Sequence, residues 1–371
     1  MKKILILTFA MMLLLCACND TPRIGITENG QTFEEYMENV SLPDGLTINF
    51  KPSQVTVFDS AKVYSAKLAR FTVDDVAPVI MFGNVTESTS YAEGMQYISV
   101  DDALREYLTI YDGGKSFGTD CDIDGGFGYV AEISGEALGS KLRSVILVSP
   151  GLSVSSTEPY LAPEDYTAGG EITSLGFEPA VSTVMETLSK AGAPELKLTK
   201  YYCLDLQTMV AHAALNNYDY SYSEEDEGYL FFFSQVVDGI PIINSGWTGK
   251  GGMTATGNYM KGTQANVYYT SKGIVDAQLV YFHSVLEDGK SVSLITPNEA
   301  FNCIAEYFSG VILDHDYSIT SMELNYISVP IKDKFQLRPA WVFCIAELQD
   351  GKIFDYDYYV IDALTCEILS A

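Results

Sequence analysis

Apolar and polar positions alternate along this chain in two rhythms, one of period two and one near 3.6. Both are preceded by an almost unbroken apolar run, Ile4 to Leu15, behind Lys2 and Lys3. A positive pair followed by so short a run has the form of an export signal, because a bilayer span needs about 20 apolar residues. Val63 to Phe71 follows the strand rhythm, and Thr72-x-x-Asp75 caps a short helix running towards Phe82. A second helix is expected next. Ser99 caps it, Asp101 and Asp102 complement its positive end, Leu104, Tyr107, Leu108 and Tyr111 share one face, and Gly113 ends it. Gly128 to Ile133 and Leu142 to Val148 read as strands, and the Pro- and Ser/Thr-rich stretch from Ser149 to Gly170 reads as a connector.

The pattern after residue 172 repeats a grammar of helix, strands and D-G hairpin. Phe177, Ala180, Val181, Val184 and Leu188 share a helix face, strands follow at Leu196 to Leu204 and Tyr229 to Val236, Asp238-Gly239 turns, and Val267 to Phe282 returns. In the second unit Thr296-Pro297-Asn298-Glu299 is a capping box, and Phe301, Ile304 and Phe308 face inward. Strands follow near Ile319 to Val329 and Pro339 to Leu348, Asp350-Gly351 turns, and Tyr356 to Leu369 closes. Ile274-Val275-Asp276-Ala277 is echoed by Val360-Ile361-Asp362-Ala363. Either a duplication or two generic α+β units produces such an echo. The expected fold class is α+β, with antiparallel sheets and packed helices. The expected organisation is a signal peptide over 1–17, a tether over 18–30, an α+β domain over 31–172 and a second over 173–371, the latter divisible into repeats 173–290 and 291–371.

Composition sharpens the reading at the N-terminus. Leu15-Cys16-Ala17-Cys18 resembles the bacterial lipobox, with a small residue before the cut and a cysteine after it whose thiol takes the diacylglyceryl group. Cys18 is therefore the expected lipidation site, and the chain an extracytoplasmic protein anchored to the cell membrane by its lipid, since two acyl chains make attachment persistent. With 47% apolar and 12% aromatic residues over the whole chain there is enough material for a large core in the exported part. Its net charge goes from −27 to −29 once Lys2 and Lys3 leave with residues 1–17. Such a surface repels phosphate backbones, so nucleic acid is not an expected partner, whereas divalent cations and basic proteins are. Cys121, Cys203, Cys303, Cys344 and Cys366 then remain, scattered and without a CxxC pair; Cys303 and Cys344 lie in apolar patterns and read as small core residues.

Three motifs bear on chemistry. In Asp120-Cys121-Asp122-Ile123-Asp124-Gly125 the D-x-D-x-D-G spacing puts three carboxylates on one side of a tight turn, as calcium's oxygen shell requires. Asp120, Asp122, Asp124 and Gly126 are the candidate Ca2+ residues. Position twelve is Ala131, with Glu132 beside it, and a strand rather than a helix is expected to follow, so an ordinary solvated Gly/Asp-rich loop stands as the competing reading. Gly114-Lys115-Ser116-Phe117-Gly118 matches G-x-S-x-G without the strand-to-helix context of a nucleophile elbow. His212, His283 and His315 form no HExxH and read as structural or surface residues, and Glu224 to Glu227 reads as a solvated acidic approach to a hairpin.

A family resemblance is carried by Val360 to Ile368, which looks like the last strand of PepSY-type domains with Cys366 where glycine is usual. The wider pattern of Val63 to Gly83, Gly228 to Pro241, Gly273-Ile274-Val275 and Leu337-Arg338-Pro339-Ala340-Trp341-Val342-Phe343 resembles an uncharacterised lipoprotein family of Gram-positive gut bacteria. The resemblance implies a C-terminal half related in style to PepSY modules and to the YycH and YycI regulators of a sensor kinase, and it supplies no catalytic residues. Two functions follow as expectations. One is a non-catalytic binding or regulatory module docking on another envelope component, such as a sensor kinase or protease. The alternative is a calcium-dependent envelope-polymer-binding protein or hydrolase.

Overall fold

Long runs of β-branched and aromatic residues favour pleated, half-buried surfaces, and strands dominate the computed structural model. Residues 31–370 are described, apart from 92–93, 102–103, 112–124, 134–165, 218, 245–246, 249–258, 261 and 288. The helices are α1 (Phe33–Met37), α2 (Val73–Ile80), α3 (Phe177–Lys190), α4 (Leu206–Asn216) and α5 (Pro297–Ser309). Strands β1 (Leu46–Ile48), β2 (Ser60–Leu68), β3 (Glu87–Tyr91), β4 (Gly94–Val100), β5 (Leu104–Tyr111), β6 (Gly126–Ile133), β7 (Thr167–Ala168), β8 (Leu196–Leu204) and β9 (Gly228–Val237) cover the first part of the chain. They are followed by β10 (Ile240–Pro241), β11 (Trp247–Thr248), β12 (Tyr259–Met260), β13 (Gln264–Thr270), β14 (Gly273–Val280), β15 (His283–Val285), β16 (Lys290–Ser293), β17 (Asp316–Ile331), β18 (Lys334–Gln349) and β19 (Lys352–Asp362).

These strands form two large sheets, and the fold is α+β. A seven-stranded sheet runs β1-β17-β18-β2-β15, with β16 also on β2 and β19 on β18; a ten-stranded sheet runs β3-β4-β5-β6-β14-β13-β9-β8-β7, with β10 on β9. Every pairing between these strands is antiparallel except β1 with β17. The expected boundary near residue 172 does not divide the sheets. The chain lays down β1 and β2, leaves to build the whole ten-stranded sheet from residues 87–280, and returns at β15 to complete the first sheet. The outbound and returning segments lie side by side, the Ala69 N–H donating to Phe282 O at 2.8 Å and His283 pairing with Leu68. The two large cores among the described residues lie one around Phe127, Tyr129, Phe231, Phe232 and Tyr268, the other around Phe301, Tyr326, Trp341, Phe343 and Ile361.

Several expected elements appear where their chemistry places them. Thr72 caps α2, accepting the Asp75 N–H at 3.2 Å, and Thr296 with Glu299 closes a reciprocal capping box on α5. Both D-G pairs are left-handed turns, with φ 49° at Asp238, 78° at Gly239, 53° at Asp350 and 75° at Gly351. The strand expected to reach Phe71 ends at Leu68.

Other expectations fail. The segment Leu104 to Tyr111 is not a helix but the strand β5, in register with β4 on one side and β6 on the other. Its apolar residues satisfy both periods, and pairing on two edges decides between them: Glu106, Leu108 and Ile110 point together into the core. The repeat is looser than its sequence suggests, because α4 interrupts the first unit and β15 and β16, within 283–293, belong to the other sheet. The echoed aspartates also differ: Asp276 sits within β14 opposite Tyr268, whereas Asp362 ends β19 and is 1% exposed. Cys303 is not a lone core residue, since it forms a disulfide with Cys366 across 63 residues. Cys344 is buried, as expected of a core cysteine.

Candidate functional site

The even-numbered face of β9 determines where a binding site forms. Tyr229, Phe231 and Tyr201 pack under Phe177 of α3, with ring centroids 4.3 to 6.2 Å apart. On the opposite face Tyr202 and Phe232 lie 5.9 Å apart, and Met209 of α4 meets the Tyr268 hydroxyl. Beyond that helix the same face carries Ser234, and here the two sheets part to leave a cleft of about 380 Å³. Lys197, Leu198, Thr199 and Ser234 line it from the ten-stranded sheet. Thr320, Ser321, Glu323, Asn325, Val342, Cys344 and Tyr358 line it from the other, and Pro241, Ile243 and Asn244 close one end.

This lining is polar for a space between two sheets. Lys197 and Ser234 face each other across β8 and β9, and Glu323 and Asn325 stand on β17, with Asn325 Nδ2 3.5 Å from Glu323 Oε2. Ser234, Asn244 and Asn325 are 3%, 7% and 6% exposed, so their polar groups are desolvated at the cleft floor. Such groups keep their cost low only when hydrogen-bonded. A space of this size with convergent hydroxyl, amide, ammonium and carboxylate groups suits a small polar or zwitterionic moiety.

A second hollow, about 470 Å³, lies where the chain crosses between sheets, lined by Tyr64, Arg70, Glu195, Gln235, Asp238 and His283 among others. Tyr64 donates a hydrogen bond to Asp238, and Lys62 lies 3.3 Å from the same carboxylate, which holds Asp238 below the usual carboxylate range. His283 is a core residue of this junction. Its N–H and carbonyl are bracketed by the Gln235 amide at 2.8 and 2.6 Å, its ring stands edge-on to Tyr281 and Phe335, and burial pushes its pKa down to about 3.

Two buried charges are structural. Glu106, fully buried, accepts the Phe82 and Gly83 N–H groups at 2.7 Å each and the Tyr129 hydroxyl at 2.7 Å. Asp362 pairs with Arg338 and accepts the Leu364 and Thr365 N–H groups at 2.8 and 3.1 Å, tying together two of the motifs that carried the family resemblance. Neither was singled out from the sequence as an ion pair or a carboxylate knot, because each unites residues more than twenty positions apart.

The remaining expected site residues are scattered. Cys18 lies outside the described residues, as do Asp120, Cys121, Asp122 and Asp124, the G-x-S-x-G stretch and Leu142 to Val148. Gly126 is described, and its glycine has a local cause: at φ 143° it packs against β14 so closely that a Cβ would lie 1.9 Å from Leu279 O. His212 is buried beside Tyr166, with ring centroids 5.2 Å apart. His315 is not an isolated loop residue, for it faces the carboxylates of Asp314 and Glu347. The Cys203 thiol is pushed up to about 11 by burial and by Asp205 and Glu171, which leaves it protonated and inert. Among the described residues no helix is long and apolar enough to cross a membrane.

No family model matches the chain, and no curated protein matches it. Among solved structures, an uncharacterised protein from Eubacterium rectale is similar in fold, with a TM-score of 0.58 over 89% of this chain and 92% of that one, at 15% identity.

Proposed function

We propose that this chain is a lipid-anchored extracytoplasmic binding module, tethered to the cell membrane through Cys18, that holds a polar segment of another envelope component in the cleft between its two sheets. The observation that carries the binding role is that cleft, where Lys197 and Glu323 present opposite charges and Ser234, Asn244 and Asn325 present desolvated hydrogen-bonding groups. The lipobox-like ending of the N-terminal apolar run supports the location. A sensor kinase or protease in the same membrane is the class of partner such a module would regulate. The role needs no catalysis: a ligand held between two rigid sheets reports its presence by changing what the outer faces of those sheets contact.

The test is photocrosslinking in living cells from a photoreactive residue at Ser321, in the cleft, and at Ile353, exposed outside it. An adduct formed from position 321, absent from position 353 and lost in a Glu323→Arg background, supports the reading. The same adducts from both positions, or none from position 321, would refute it.

A further inference from the structure

We infer that Asp314, His315 and Glu347 form a divalent transition-metal site, of a kind that binds Zn2+, at the end of the β17–β18 pair. It stands apart from the cleft, whose lining contains none of the three. One oxygen from each carboxylate and one imidazole nitrogen all lie within 4.8 Å of one another.

The spacing distinguishes a ligand set from an ordinary ion pair. His315 Nε2 lies 3.6 Å from Glu347 Oε1 and 4.0 Å from Asp314 Oδ2. Both exceed the roughly 3.2 Å upper range of an N–H···O hydrogen bond, so the imidazole faces two carboxylates without bonding to either. Around a tetrahedral ion with bonds of about 2.0–2.1 Å, neighbouring ligand atoms are about 3.3 Å apart. An ion entering between the three groups therefore draws His315 and Glu347 together by about 0.3 Å and His315 and Asp314 by about 0.7 Å, with the carboxylates, which start within 4.8 Å of each other, closing by up to about 1.5 Å, and a fourth position stays open to water.

The backbone holds the three in place. Glu347 is directly opposite Tyr317 across the β17–β18 ladder, and Tyr317 N–H donates to Gly45 O at 2.7 Å, pinning the lead-in to β17 against the chain before β1. The Tyr317 hydroxyl donates to Asp314 Oδ1 at 3.0 Å, orienting that carboxylate through the oxygen that does not face His315, and lies 3.4 Å from Glu347 Oε1. Asp355 lies opposite Glu347 on β19, with Asp357 two residues on, which adds negative potential around the opening. An imidazole in the set favours a borderline ion such as Zn2+ over Ca2+ or Mg2+, which take oxygen ligands.

The test is calorimetric titration of the full chain, purified in detergent and stripped of metal, with zinc chloride. One ion per chain at micromolar affinity is expected, weakened at least tenfold in His315→Ala and in Glu347→Gln and undisturbed by millimolar calcium. X-ray absorption of the zinc-loaded wild-type chain should show one imidazole and oxygen neighbours, a readout independent of how any variant folds. Absence of binding up to 100-fold above micromolar, undiminished binding in folded His315→Ala, or sulfur in the zinc shell would overturn the site.

Discussion

Single residues in this molecule hold distant segments together through groups that have nowhere else to bond. Glu106 takes two successive backbone N–H groups just after α2 and the Tyr129 hydroxyl, so it closes α2 onto the ten-stranded sheet. Replacing Glu106 with Ala strips the acceptor from the buried Tyr129 hydroxyl and from two partly buried N–H groups and should cost about 2–3 kcal/mol; a drop in the urea midpoint of under 1 kcal/mol equivalent would contradict that role. Gly83 is held by close packing at the same place, since a Cβ there would lie 2.2 Å from Ser99 Oγ and 3.0 Å from Glu106 Oε2. Cys366 occupies the position where PepSY-type endings carry glycine, and its φ of 64° explains the preference. His283 carries a pH dependence. Its folded pKa, about 3, lies below the unfolded value of 6.5, so the stability it contributes is complete above pH 6.5 and is lost as pH falls towards 3. At pH 5 that loss is about 2 kcal/mol, and His283→Phe should remove this part of the acid sensitivity in denaturant titrations at pH 7.5 and 5. A variant as acid-sensitive as the wild type would place the effect elsewhere. The glycine at 83 lay within a motif legible in the sequence, but Glu106 did not, because only folding brings its three donors to it.

At the scale of elements, local chemistry was read correctly where it is local. Capping boxes, D-G turns and the apolar face of α3 depend on residues three or four apart, and the structure places them as expected. Thr296→Ala should destabilise by about 1 kcal/mol through loss of the α5 cap, measurable as a lower melting temperature with an unchanged fold. The segment from 104 to 111 misleads because Leu104, Tyr107, Leu108 and Tyr111 lie at helical spacing while Glu106, Leu108 and Ile110 lie at strand spacing. Partners on both edges, from β4 and β6, settle it. The run Tyr229 to Phe233 shows the opposite case: it lacks alternation because β9 is covered on both faces, by α3 and by α4 with Tyr166. Truncating Phe231 to Ala should cost about 3–5 kcal/mol, and a loss below 1 kcal/mol would show that this strand is not the centre of its core.

Across the whole molecule, the feature hidden from the sequence is nesting. No composition shift marks the points where the chain leaves the seven-stranded sheet after β2 and returns at β15, because the crossing is made by ordinary strand residues such as Leu68, Ala69 and Phe282. A boundary was therefore expected at the Pro- and Ser-rich connector, although strands on its two sides pair, β6 with β14 and β2 with β18. The cleft is a product of this nesting, since Lys197 and Glu323 meet only when the two sheets face each other. The binding role proposed for that cleft depends on the protein standing outside the membrane on a lipid tether. Metabolic labelling with a clickable fatty acid tests this most directly: label on the wild-type chain that disappears in Cys18→Ser is the expected result, and an unlabelled wild type, or label that persists in Cys18→Ser, would contradict it.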